Sequence, residues 1–328
     1  MRKQRLTILL VLVLATAAVY AVFFSKLIPG PDRGGKTITV VLKSLNVRSD
    51  YWQAVISGAQ TAAKELGVRL DLQGPLQESD VEGQIAALRD AIARKPAAIA
   101  VAPMDDPRIP ELLGDVRAAG IKLVVMDTPL ALKNPPAFVA NDHLQAGRLA
   151  GDAAARAAGE APAVAVFSDS QKAPISNQRY AGIEQAMKAH GGRISGIYYS
   201  GDSEQLAYEF TVALLRTNPK VNAFIALNEN ATLGVAKAIK EAKKTNAYKL
   251  IGFESSIYEI QLLEEGTVDA LVVQKPFNVG YLGVKTAVKA AGGRKTDRTT
   301  LIGSTVVTRA NMNDPEIQRL MFPFPVIQ

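Results

Sequence analysis

Two stretches of this 328-residue chain, roughly 125 residues apart, repeat one plan: helix, proline, apolar strand, polar turn, helix, strand, acid. The first runs from Leu88 to Asp127, as LRDAIARKP, AAIAVAP, a helix ending at Gly120, and IKLVVMD. The second runs from Leu214 to Glu254, as LLRTNP, VNAFIALNEN, ATLGVAKAIKEAKK and YKLIGFE. Each copy ends a buried strand on a carboxylate, Asp127 or Glu254. Ligands of open α/β sheets bind beyond the carboxyl ends of the strands. Two such sheets facing one another hold a ligand between the two acids.

The rest of the chain extends this pattern. TITVVL opens a strand at Thr37, and Trp52, Val55, Ile56, Ala59, Ala62, Ala63 and Leu66 then fall at helical spacing until Gly67. Ser79 to Glu82 reads as a capping box before a helix with Ile85, Leu88 and Ile92 inward. Further strands are expected at AFVAND, AVAVFS, Ile194–Tyr199, FIAL, KLIGF, DALVVQ and Leu301–Thr308, with helices between them. Such alternation gives parallel sheets with helices on both faces. The strands are too many for one sheet of this type, and the repeat argues for two.

The N-terminus is separate. Leu6 to Phe24 is a run of 19 uncharged, mostly apolar residues behind Arg2, Lys3 and Arg5. That length spans a hydrocarbon core, and the basic residues stay cytoplasmic, placing the remainder outside. It exceeds a usual signal-peptide core, so an uncleaved anchor is favoured over cleavage after Ala21, which would release a periplasmic or secreted protein. Ser25 to Gly35, rich in Pro and Gly, reads as a tether. The net charge of +7 is mostly local: residues 1–36 carry six basic residues against Asp32, leaving +2 elsewhere. That is a weak field for a polyanion, so no nucleic-acid partner is expected.

Catalytic and metal chemistry find little support. There is no cysteine, hence no disulfide, thiolate site or lipid-acceptor cysteine. His143 and His190 are the only histidines and do not stand at metal spacing. No G-x-G-x-x-G fingerprint is present, and neither Ser168 nor Ser170 lies in a G-x-S-x-G elbow. Gly30 to Thr37 matches G-x4-G-K-T, but it precedes a strand rather than a helix, so it is read as a basic tether. No cofactor, metal or catalytic residue is assigned. Asp127 and Glu254 as a glycosidase-like acid pair is the enzymatic alternative, and nothing else in the sequence suggests bond cleavage.

The polar residues at strand ends carry more weight. Asn228 follows FIAL, Glu254 ends KLIGF, and Gln274 ends DALVVQ before Lys275-Pro276. These types suit a polar small-molecule pocket, although each alone is equally explained as a helix cap. Tyr51-Trp52 sits after the first βα loop, where an aromatic can pack on a sugar ring or simply join the core.

At these residues the chain resembles the type I periplasmic sugar-binding proteins, the ribose-binding-like family, from Ile38 to about Ala310. FIALNENATLGVAKAIK, LIGFESS and VVQKPFNVGYLGVKTAV carry the likeness, and ANDHLQAGRLAG resembles the family's first interdomain crossover. The resemblance implies an α/β fold of two doubly wound parallel-sheet lobes joined by a three-crossover hinge, here behind an N-terminal transmembrane helix. It implies these boundaries: anchor 1–24, tether 25–36, N-terminal lobe 37–141 plus 277–302, C-terminal lobe 142–276 plus 303–328.

By position, the resemblance also places Lys43, Ser44, Tyr51, Trp52, Asp105, Asp127, Asn177, Asp202, Asn228, Glu254 and Gln274 at the ligand. Thr128 and Asn177 stand where arginines are common, Asp202 where an aromatic is, and Glu254 replaces an Asp. The expected role is an extracytoplasmic, membrane-anchored, monomeric receptor for a sugar or polyol, with a sugar acid left open by Lys43 and Lys275. Its partner is an ABC permease or a membrane histidine kinase. A sugar-responsive repressor uses similar lobes but needs a helix-turn-helix where this chain has an apolar segment.

Overall fold

The central strands are apolar at every position, and both of their faces are buried. In Ala98–Val101 (β3), Ala98 and Ala100 enter one core while Ile99 and Val101 enter another. Ala223–Ala226 (β8) repeats this, with Phe224 and Ala226 opposite Ala223 and Ile225. Side chains alternate along a strand, so only a sheet covered on both faces can bury such a run. A computed structural model describes residues 35–47, 49–217 and 220–322.

Thr37–Val41 (β1), Arg69–Gln73 (β2), Lys122–Met126 (β4), Ala137–Asn141 (β5) and Thr299–Ile302 (β11) join β3 in a parallel sheet ordered β11-β5-β4-β3-β1-β2. Ala163–Ser168 (β6), Arg193–Tyr199 (β7), Lys249–Phe253 (β9), Ala270–Val273 (β10) and Thr305–Val307 (β12) join β8 in a second sheet ordered β12-β10-β9-β8-β6-β7. There β12 alone runs antiparallel, against β10. The expected single strand at Leu301–Thr308 is therefore two strands in two sheets. Apolar patterning runs through the Gly303-Ser304 break because both halves are half-buried edge strands.

Helices Asp50–Leu66 (α1) and Pro276–Ala291 (α9) cover one face of the first sheet, and Val81–Arg94 (α2) and Ile109–Ala118 (α3) the other. On the second sheet, His143–Ala158 (α4) and Pro174–Ala189 (α5) cover one face. Glu204–Thr217 (α6), Glu229–Glu241 (α7), Ile257–Glu265 (α8) and Pro315–Met321 (α10) pack against the other. Gly67 ends α1 in a left-handed conformation (φ 64°), as the sequence suggests. Asp80, not Ser79, caps α2, accepting the Gly83 N–H at 2.8 Å. Thr37 opens β1, so the G-x4-G-K-T stretch leads into a strand.

The chain passes between the sheets three times: after β5, after β10, and between β11 and β12. Hydrogen bonds tie these passages together. Asn141 Oδ1 accepts the Lys275 N–H at 3.4 Å, Gln145 Oε1 accepts the Ser304 N–H at 3.0 Å, and Ile302 O accepts the Asp142 N–H at 2.8 Å. No helix among the described residues is long and apolar enough to cross a membrane. The expected anchor and nearly all of the tether lie outside the described residues.

The helix pairs α1/α9 and α4/α5 approach through glycines. A Cβ on Gly280 would stand 1.9 Å from Val55 O, and one on Gly147 would stand 1.9 Å from Arg179 O. Backbone cannot yield as a side-chain tip can, so Gly280→Ala is expected to destabilise by about 2 kcal/mol or more. Gly114, exposed within α3 with nothing near its would-be Cβ, is the control: Gly114→Ala should stabilise by about 0.5–1 kcal/mol. Urea denaturation of both variants checks the contrast.

Candidate functional site

The two repeated acids share one backbone device. Asp127 follows β4 with φ 63°, and Glu254 follows β9 with φ 85°. The N–H of Asp127 donates to Val139 O on the next strand at 2.9 Å, and that of Glu254 to Val272 O at 3.2 Å. Left-handed φ costs a non-glycine residue about 1–2 kcal/mol and persists where its surroundings over-determine it. Here the neighbouring strand fixes each N–H while the chain leaves the sheet.

Their side chains then diverge. Around Asp127 the first lobe supplies the donors: Tyr51 Oη reaches Oδ1 at 2.6 Å, Lys43 Nζ reaches Oδ2 at 2.9 Å, and Thr128 Oγ1 reaches Oδ2 at 3.0 Å. Asn141 Nδ2 donates to the Tyr51 oxygen at 3.2 Å. Burial alone would raise the Asp127 carboxyl. Lys43 and the Tyr51 hydroxyl outweigh burial and hold it well below the usual carboxylate range. The Tyr51 hydroxyl is pushed well up, by burial first and then by Asp127.

Glu254 has no protein hydrogen-bond partner among the described residues, and it lines a cavity of about 440 Å³. Burial pushes its carboxyl up to about 7, opposed by Arg179 and reinforced by Glu229, Glu78 and Asp169. Tyr51 and Gln274 line the same cavity. Gln274 is buried, and its Oε1 accepts no hydrogen bond. A free acid and a free amide facing an interior space are groups that a polar ligand can satisfy.

The remaining expected residues are not among those lining this cavity. Trp52 is buried in the core, edge-on to Tyr51 at 5.1 Å, with its indole N–H on Glu78 Oε1 at 2.6 Å. Ser44 is buried in its loop, donating to Leu76 O at 2.9 Å. Asn228 caps α7 by accepting the Ala231 N–H at 2.8 Å, and its amide donates to Asp169 and to Gly201 O. Asp202 is exposed at the second lobe's edge, its carboxyl raised by partial burial and by Asp169. Two expected residues face solvent. Asn177 is exposed and turned to Gln171 O at 3.1 Å, because it lies on the outer side of the first turn of α5. Asp105 is exposed in a surface loop without a side-chain hydrogen bond; Met104 and Gln84 hold that loop from inside.

Although Thr128 and Asn177 stand at the arginine positions, an arginine does act on Glu254. Arg179, two positions beyond Asn177, is buried, stacks on the Phe253 ring at 4.4 Å and donates to Leu227 O. Burial lowers its pKa against the pull of Glu254 and Asp169, and it also feels Tyr51 and Asp127. It thus faces acids of both lobes. His143, after the first passage, was missed as well. It is buried with neither ring nitrogen hydrogen-bonded, and burial, then Arg179, takes its pKa down to about 3, so it is neutral. A 3.6-residue period marks Arg179 only as an inward position; its partners come from other strands.

A family model for a periplasmic binding protein domain matches residues 38–295. The chain belongs to the periplasmic binding protein family. The ribose-type resemblance read from the sequence is borne out. The chain is 24% identical over 277 residues to the ribose import binding protein RbsB of Escherichia coli (strain K12), covering 84% of this chain and 92% of that protein. A carbohydrate transporter solute binding protein from Agrobacterium radiobacter, solved with D-arabinose, is 31% identical. It superposes with a TM-score of 0.79 over 88% of this chain and 100% of that one. A solute binding protein from Agrobacterium vitis, solved with D-fucose, is 30% identical, with a TM-score of 0.77 over 87% of this chain and 100% of that one. The fold is accordingly α/β with two parallel-sheet lobes, in a family of non-enzymatic extracytoplasmic binding proteins.

Two outcomes follow for the paired acids. Glu254 holds its proton more tightly folded than unfolded, so native stability falls as pH rises from 4.5 to about 7. Glu254→Gln removes that loss; its stability relative to the native chain should climb by up to about 3 kcal/mol across this window, read by urea midpoints. His143 acts oppositely, its contribution being lost as pH falls from 6.5 toward 3, and it cancels in the comparison. Lys43→Met leaves Asp127 buried without its cation and should destabilise by about 3–5 kcal/mol at pH 7, with partial recovery at low pH as the acid is protonated.

Proposed function

We propose that this protein is a receptor for a small polar solute, a sugar or polyol, which it encloses between its two lobes outside the cytoplasmic membrane. The supporting observation is Glu254: a residue set on a left-handed strand end, lining a cavity, whose carboxyl group has no hydrogen-bond partner among the described residues. Hydroxyl groups are the donors such an acid lacks, and the free Gln274 amide orients a neighbouring hydroxyl or ring oxygen. Relatives that carry ribose, arabinose or fucose in their names or complexes favour the same class.

In this reading Asp127 organises Tyr51 and Lys43, and Tyr51 presents its ring and hydroxyl to the solute. Arg179, Asn228 and Asp202 shape the second wall, while Trp52 and Ser44 hold the first. The lobes are 37–141 with 277–302, and 142–276 with 303–328. The three passages, stapled through Asn141, Gln145 and Asp142, act as the hinge. Closure rises only as far as the solute prefers the closed form. Residues 1–24 anchor the receptor, and 25–36 tether it.

The closed form is read by a membrane partner. The import binding proteins among the relatives favour an ABC permease over a histidine kinase; stimulation of a co-reconstituted permease ATPase would separate the two. The pocket itself is tested by calorimetry on the full chain in lipid nanodiscs, against pentoses, hexoses, polyols and sugar acids. Glu254→Ala and Gln274→Ala should each weaken the best solute by about 1.5–3 kcal/mol, the range of charge-assisted and buried hydrogen bonds. Unchanged affinity in both variants would remove this pocket.

A further inference from the structure

The lining of the cavity at Glu254 is of two chemical kinds. Glu254, Gln274 and Tyr51 are polar. Ile257 and Tyr258 at the start of α8 and Leu320, Met321 and Phe322 at the end of α10 form an apolar wall. Three of these are exposed large hydrophobic side chains: Ile257 is 61% exposed, Tyr258 63% and Phe322 41%. They come from two separate elements and line one space together with Glu254, Gln274 and Tyr51. Scattered exposed apolar residues need no explanation, but a cluster lining a cavity marks a binding surface.

The apolar wall is built into the second lobe. Met321 is buried in the second lobe's core, and Leu320 packs against the same cluster. Gln318 Nε2 donates to Met312 O at 2.6 Å, and the Phe322 N–H closes back on Gln318 O at 2.9 Å. At about 440 Å³ the cavity falls within the range of about 300–1,000 Å³ that takes drug-sized ligands.

Resting on the sugar-binding reading above, we infer that the solute is a glycoside with an apolar aglycone, whose ring sits at Glu254 and Gln274 and whose aglycone lies along Tyr258 and Phe322. The aglycone is the occupant that the continuity of the cavity selects, because a ring held by Glu254 shares one space with the apolar side chains of Ile257, Tyr258 and Phe322. An aromatic group burying about 100 Å² of apolar surface there corresponds to roughly 50-fold in affinity.

The test is calorimetry on the full chain in nanodiscs, comparing for each sugar ring the methyl glycoside with the 4-nitrophenyl glycoside. The expected result is at least tenfold tighter binding of the aryl compound, in the anomer that fits. In the double variant Tyr258→Ser, Phe322→Ser the aryl-to-methyl ratio should fall to within about twofold of unity. Equal affinities in the native chain overturn the inference while the sugar reading stands. A ratio that survives in the double variant overturns the placement of the aglycone on this wall. Binding of no ring in either form overturns the sugar reading and the inference with it. The first comparison needs no variant, so a misfolded mutant does not blunt it.

Discussion

A carboxylate buried at the end of a parallel strand must be neutralised by the protein or left for something else to neutralise, and this protein does each once. Asp127 and Glu254 occupy matching places, with matching left-handed φ and matching N–H bonds to the neighbouring strand. Lys43, Tyr51 and Thr128 saturate the first, which stays ionised. The second has no side-chain hydrogen bond among the described residues and is pushed up to about 7 by burial, against Arg179. The cost of burying charge without hydrogen bonds makes this difference consequential. One acid is bonded within its lobe, and the other lines the cavity.

The scaffold brings these groups face to face by duplicated means. Each lobe buries strands on both faces and docks one helix pair through glycines, Gly58 and Gly280 in the first and Gly147 and Gly182 in the second. Arg179 links scaffold to site. Its carbonyl meets Gly147 across the helix contact, while its guanidinium lies on Phe253, beside Glu254. A shift in that helix packing moves the charge that most strongly opposes the rise in the Glu254 pKa. The passages between the two sheets are held to one another by hydrogen bonds at Asn141, Gln145 and Asp142.

The alternating repeat, the apolar runs at AAIAVA and FIAL, and the acids after them determined from sequence alone that two parallel sheets would form with polar groups at their strand ends. Periodicity and strand-end position are local properties, so Asp127, Glu254 and Gln274 were legible one by one as polar strand ends, whereas Lys43 entered only through the family resemblance. Which acid is quenched and which is free was decided only by tertiary structure, because Lys43 and Tyr51 reach Asp127 from 84 and 76 residues away. The same holds for Arg179 and His143, whose roles come from strands and passages remote in sequence, and for Asn177 and Asp105, which the fold turns to solvent. Sequence pattern fixes which residues stand at a strand end. Charge and hydrogen bonding in a low-dielectric interior depend on distances of a few ångström, and those exist only once the two lobes are assembled.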